Sequence, residues 1–122
     1  MSELIILIVE DEPDAGEIIE SLLAHYQIES FRVSSAEEAF QALNKQHYDA
    51  AIVDLFLPGM DGIELIRSIR GTATTASIPC IAVTAYGSST LRKQALEAGY
   101  DRFYLKPINH KDLSQGLSEL LS

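Results

Sequence analysis

The 122-residue chain is short of cysteine, of basic residues and of long apolar runs, and each shortage excludes something. Its one cysteine, Cys80, cannot form an internal disulfide. Set inside an apolar run, it reads as buried core, and a reducing cytoplasm is the simplest compartment. Nine Lys and Arg against eighteen Asp and Glu leave a formal charge of −9, and no basic cluster interrupts it. Direct binding to nucleic acid, which relies on neutralising phosphates, is therefore disfavoured. The longest unbroken apolar stretch is six residues, 4–9. A bilayer span needs about 20, so no membrane role is expected. The N-terminus lacks a basic region followed by a processing site, which argues against secretion. Repeats, low-complexity tracts and linkers are missing as well, and the length predicts one domain over residues 1–122. The Met1 start without a tag favours a stand-alone protein over an isolated piece of a larger one.

What is present is alternation. Hydrophobic residues make up 47% of the chain, enough for a proper core, and they fall into short runs separated by helical stripes. Strands are expected at residues 4–9, 30–33, 50–53, 80–83 and 103–105. Between the first two, Ala15, Ile18, Ile19, Leu22 and Tyr26 recur at helical spacing, with Pro13 suited to the first turn. Ser35 and Glu38 form a capping box for a second helix carrying Ala36, Ala39, Phe40 and Leu43. Asp61 and Glu64 cap a third, Gly99 stops a fourth, and Asn109 caps the last. Five strands alternating with five helices predict right-handed crossovers and a doubly wound parallel sheet.

In such sheets ligands bind beyond the carboxyl ends of the strands. The chemically interesting residues fall there: Glu10 and Asp11 after the first strand, Asp54 after the third, Thr84 after the fourth, Lys106 after the fifth. Each alone has a plain explanation, since loop acids are common and threonine is a good strand former. Together they place three carboxylates and one ammonium on one rim, an excess of negative charge that repels itself. A divalent cation resolves it, and Mg2+ suits hard oxygen ligands combined with a phosphate. Asp54 can then act as a nucleophile towards phosphorus, giving an acyl phosphate. Lys106, the Thr84 hydroxyl and backbone N–H groups after Asp54 would neutralise the phosphoryl oxygens. Pro107 makes a cis peptide after Lys106 an option that the sequence leaves open. Phe103 and Tyr104 alternate across the last strand, and the outward-leaning one is expected to report the state of Asp54 through Thr84. His25, His47 and His110 are scattered and form no ligand set.

Four motifs in this order resemble those of the response-regulator receiver domain, the CheY-like superfamily of two-component signalling. They are Val9-Glu10-Asp11-Glu12, Val53-Asp54-Leu55 running into Leu57-Pro58-Gly59-Met60-Asp61-Gly62, Val83-Thr84-Ala85, and Phe103-Tyr104-Leu105-Lys106-Pro107. The resemblance implies an α/β fold, a five-stranded parallel sheet ordered 2-1-3-4-5 in a flavodoxin-like three-layer sandwich. It implies Asp54 as phosphoacceptor, and Mg2+ held by Glu10, Asp11, Asp54 and the Phe56 backbone carbonyl. Thr84, Ala85 and Lys106 would contact the phosphate, Phe103 would be the switch aromatic, and Pro107 would be structural. A sensor histidine kinase or phosphotransfer protein would supply the phosphoryl group. A protein target, or a second copy of the chain, would read the result on the face of the fourth helix, fifth strand and fifth helix. Arg92, Lys93, Arg102, Tyr104 and Lys111 would make that face locally basic.

Two departures stand out. The acidic pair is Glu-Asp where Asp-Asp is common, so the longer Glu10 is expected to act through a water. Phe56 stands where relatives often carry a polar or small side chain, and its ring, with Tyr86 nearby, is expected to restrict hydrolytic water. Rival readings divide on the same positions. A phosphatase with an aspartate nucleophile, of the haloacid-dehalogenase type, needs a second carboxylate two residues on, where Phe56 stands. A flavodoxin would present backbone donors to its phosphate rather than an acidic first loop. The alternative to a phosphorylation switch is a degenerate receiver that only binds proteins. Either way the chain is not an enzyme beyond its own phosphorylation and dephosphorylation.

Overall fold

The structure, a computed structural model, describes residues 3–57 and 59–121; Met1 and Pro58 of the second motif lie outside the described residues. Five strands, β1 (Ile5–Val9), β2 (Glu29–Val33), β3 (Ala50–Asp54), β4 (Cys80–Thr84) and β5 (Arg102–Leu105), form one parallel sheet in the order β2-β1-β3-β4-β5. Each expected strand is present, its ends moved by no more than one residue. Asp54 and Thr84 are the last residues of their strands rather than the first beyond them. The three central strands are apolar up to Asp54 and Thr84 because both faces are covered. β2, at an edge, keeps exposed positions.

Five helices cover the sheet: α1 (Pro13–His25), α2 (Ala36–Lys45), α3 (Gly62–Gly71), α4 (Ser89–Ala98) and α5 (His110–Leu121). Strand alternation divides the core into two layers. Val9, Val53, Ala82 and Phe103 point towards Ala39, Leu43, Leu65, Ile66 and Ala95 of α2, α3 and α4. Ile8, Ile52, Ile81 and Val83 point towards Ile19, Leu23, Leu113 and Leu117 of α1 and α5. Full burial of such a side chain contributes about 1.5–3 kcal/mol. α4 is the exception, with Ala95 as its one fully covered residue. Among the described residues no helix is long and apolar enough to cross a membrane.

The caps follow the sequence with one displacement. Ser35 Oγ accepts from the Glu38 N–H at 3.1 Å, but the Glu38 carboxylate returns to the N–H and hydroxyl of Ser34, not of Ser35. Asp61, Ser88 and Asn109 accept from the N–H groups of Glu64, Leu91 and Asp112. Gly99 ends α4 at φ 134°, a conformation that disfavours a side chain.

The opposite end of the sheet from the N-terminal caps is tied by Arg70. Its guanidinium donates to the carbonyls of Ala76, Ile78 and Gly99 and to the Asp101 carboxylate, which also accepts from the Cys80 N–H at 2.8 Å. The adjacent Cys80 thiol is pushed up to about 12 by burial, so it stays protonated. Replacing Arg70 with Ala strands several carbonyls and is expected to cost about 2–3 kcal/mol. Urea titration should show this as a lower midpoint with an unchanged slope. A midpoint equal to wild type would refute the assigned role of the network.

Candidate functional site

The strand register brings the rim together. Val9 pairs with Val53, and Asp54 pairs with Val83, so Glu10, Asp54 and Val83 stand level and share a face. Glu10 is fixed by its N–H donating to Val33 O at 3.0 Å, and Lys106 by its N–H donating to Thr84 O at 2.8 Å. One acidic site results. Glu10 is 2% exposed and Asp54 6%, while Asp11 is open to solvent. The Lys106 ammonium reaches across β4 to lie 2.5 Å from Glu10 Oε1 and 3.1 Å from Asp54 Oδ2. The contact with Asp54 is a hydrogen bond, and that with Glu10 is a close ion pair. Glu10 Oε2 accepts from the Glu12 N–H at the start of the loop.

Charge explains the protonation behaviour. Burial raises the Glu10 carboxyl above its usual value, Lys106 works against that shift, and the Asp54 charge adds to it. For Lys106, burial alone would lower the ammonium, but Glu10 and Asp54 outweigh it and the net shift is upward.

Glu10, Asp11 and Asp54 each offer a carboxylate oxygen, all within 4.8 Å of one another. The set fits a small hard cation. Its donors are oxygens, and its negative charge exceeds what one ammonium offsets.

Two loop residues frame the mouth in parallel fashion. The Phe56 N–H donates to Asp54 Oδ1 and the Tyr86 N–H to Thr84 Oγ1, each at 3.1 Å. Their exposed rings meet edge to face with centroids 5.0 Å apart. Thr84 itself is fully buried, and Ala85 opens the exposed loop after it. The Lys106–Pro107 peptide is cis.

Phe103 is buried on the α4 side of the sheet, the same face as Thr84. Tyr104 takes the opposite face, its hydroxyl over Gly116, where a Cβ would stand 2.7 Å away. The face of α4, β5 and α5 carries a groove of about 550 Å³ lined in part by Arg92, Tyr104, Leu105 and Asp112. Its basic character is narrower than the sequence implied. Arg102 is paired with Glu119 at 2.9 Å, which leaves Arg92, Lys93 and Lys111 as its exposed cations. The exposed histidines belong to no candidate metal group among the described residues, but two of them meet. The helix layer brings His25 of α1 against His110 of α5, centroids 5.1 Å apart, with the Tyr26 hydroxyl 3.4 Å from His110 Nδ1.

Fold and rim together define a receiver: a 2-1-3-4-5 parallel sheet with an acid cluster and a lysine beyond its strand ends. The family profile described as response regulator receiver domain matches residues 6–118, and the chain belongs to that family. It is 34% identical over 116 residues to the two-component response regulator PhoP of Pseudomonas aeruginosa, covering 95% of this chain and 51% of that protein. The chain thus spans about half the length of that curated relative. Among solved structures, it resembles the receiver domain of sensor histidine kinase PA1611 from Pseudomonas aeruginosa PAO1, which has a magnesium ion coordinated in its active-site cleft. The two are 30% identical with a TM-score of 0.90, over 98% of each chain. The signal receiver domain of a signal transduction histidine kinase from Syntrophus aciditrophicus is 32% identical with a TM-score of 0.88, over 96% of this chain and 89% of that one.

Lys106→Met leaves the Glu10 and Asp54 charges without their ammonium. The variant is expected to lose about 1–3 kcal/mol without divalent cation, less than for a fully buried pair because Lys106 is partly solvated. Millimolar Mg2+ should restore more stability to the variant than to wild type. Thermal melts with and without Mg2+ measure both effects; equal Mg2+ responses would contradict this charge balance.

Proposed function

We propose that the protein is a phosphorylation-dependent signalling switch in which Asp54 accepts a phosphoryl group from a histidine kinase or phosphotransfer protein. The supporting observation is the Asp54 carboxylate held at the strand exit between an ammonium and two further carboxylates. An Asp54 oxygen attacks phosphorus in line, the donor's P–N bond breaks, and its electron pair returns to the histidine nitrogen. The product is an acyl phosphate on Asp54.

Glu10, Asp11, Asp54 and the Phe56 carbonyl would hold Mg2+, which supplies positive charge to the phosphoryl oxygens. Lys106, already on Asp54 Oδ2, is within reach of a second phosphoryl oxygen. Thr84 Oγ1 accepts from Tyr86, which leaves its O–H proton available to a third, with the Ala85 N–H as a further donor. Phe103, buried on the same face, then follows the movement of Thr84. The Phe56–Tyr86 rings limit water at the mouth and so slow hydrolysis.

In this reading the protein is a phosphoacceptor and not a classical enzyme, and it works in the cytoplasm. A protein partner, or a second copy, reads the α4–β5–α5 face. Pro107 shapes the turn that delivers Lys106.

Incubation with acetyl phosphate and Mg2+, followed by intact mass measurement, tests the reading. One phosphoryl group is expected on the wild type, none without Mg2+ and none on Asp54→Asn. Failure with every donor, including a cognate kinase, would leave the phosphorylation-independent binding module instead. Phe56→Asn is expected to lose its phosphoryl group severalfold faster than wild type; equal decay rates would remove the role given to the ring.

A further inference from the structure

Tyr100 is buried where α4 meets β5, outside both the acidic site and the α4–β5–α5 groove. Its hydroxyl donates to the carbonyl of Gly62 at 2.7 Å within the core. Phenylalanine would fill the same space, so what the phenol adds is this bond. Gly62 is the first residue of α3, and its backbone is pressed onto the exit of β3. A Cβ at Gly62 would stand 2.8 Å from Leu55 Cα and 3.1 Å from the Asp54 carbonyl oxygen. The Gly62 N–H also donates to Leu55 O at 3.0 Å. Gly62 therefore closes back onto Leu55, directly beside Phe56.

The other end of the link is firmly held. The Tyr100 N–H donates to Ala95 O at 3.1 Å, and the next residue, Asp101, donates its N–H to Cys80 O at 2.9 Å. The phenol thus projects from a backbone tied to both α4 and β4, onto the carbonyl of a residue that packs closely on Leu55 and the exit of β3.

We propose that Tyr100 is a positioning residue: through Gly62 it sets the placement of residues 54–56 and so the affinity of the acidic site for Mg2+. The inference rests on the reading of that site as the Mg2+-dependent acceptor. Because coupling is reciprocal, Mg2+ at the site restrains Gly62 and, through the phenol, the junction at Gly99 and Tyr100.

Calorimetric titration of Mg2+ into wild type and Tyr100→Phe tests the link. The dissociation constant is expected to rise roughly threefold to tenfold, the equivalent of one net hydrogen bond. Saturating Mg2+ should return labelling by acetyl phosphate to the wild-type level. Equal dissociation constants, with a lowered melting temperature, would overturn the inference and leave Tyr100 as packing. Amide exchange on the wild type avoids any dependence on how the variant folds. Mg2+ should slow exchange at Gly99 and Tyr100, and unchanged rates there would also overturn the link. A wild type that binds no Mg2+ is a separate outcome, which sinks the reading of the site and this inference with it.

Discussion

The Lys106 ammonium is the interaction on which the arrangement turns. It comes from the end of one edge strand and settles between carboxylates carried by β1 and β3, so three strands are joined by one charge. Without it, Glu10 and Asp54 would stand side by side with little water to separate their charges. With it, the site remains deficient in positive charge, because three carboxylates share one ammonium. That deficit is the charge a bound divalent cation would offset in the proposed switch. The fold supplies the rest by bringing the ends of its central strands level.

How far this was readable in the sequence depends on the kind of contact. Strand exits were legible because each central strand is an apolar run that stops at a polar residue, Glu10, Asp54 or Thr84, and Lys106 follows the last strand in the same way. The helix caps were legible for a similar reason, since a cap acts within three or four residues. The Glu38 carboxylate nevertheless chose Ser34, which offers both an N–H and a hydroxyl where one N–H was expected. Strand order came from resemblance to a family, because periodicity carries no information on which strands are neighbours.

Arg70 and Tyr100 could not be singled out. Both side chains donate to backbone carbonyls, Arg70 to that of Gly99 and Tyr100 to that of Gly62, 29 and 38 residues away. A carbonyl is present at every residue, so nothing in the sequence marks which one will be the acceptor. The meeting of His25 with His110, and the pairing of Arg102 with Glu119, follow from how helices and strands settle side by side. Local pattern does not encode that.

The sparse anchoring of α4 has its own consequence. Ala95 is its one fully covered side chain, with Leu91, Leu96 and Ala98 partly buried beside it, whereas α1, α3 and α5 each insert two or more fully covered branched side chains. Moving α4 therefore uncovers less fully buried apolar surface than moving α1, α3 or α5, at about 25 cal/mol per Å². Its C-terminal end is pinned at Gly99 and Tyr100, while its N-terminal end starts from an exposed loop. The helix is thus tied at one end and more lightly held at the other, so it is the helix of the sandwich with the least fully buried surface to give up.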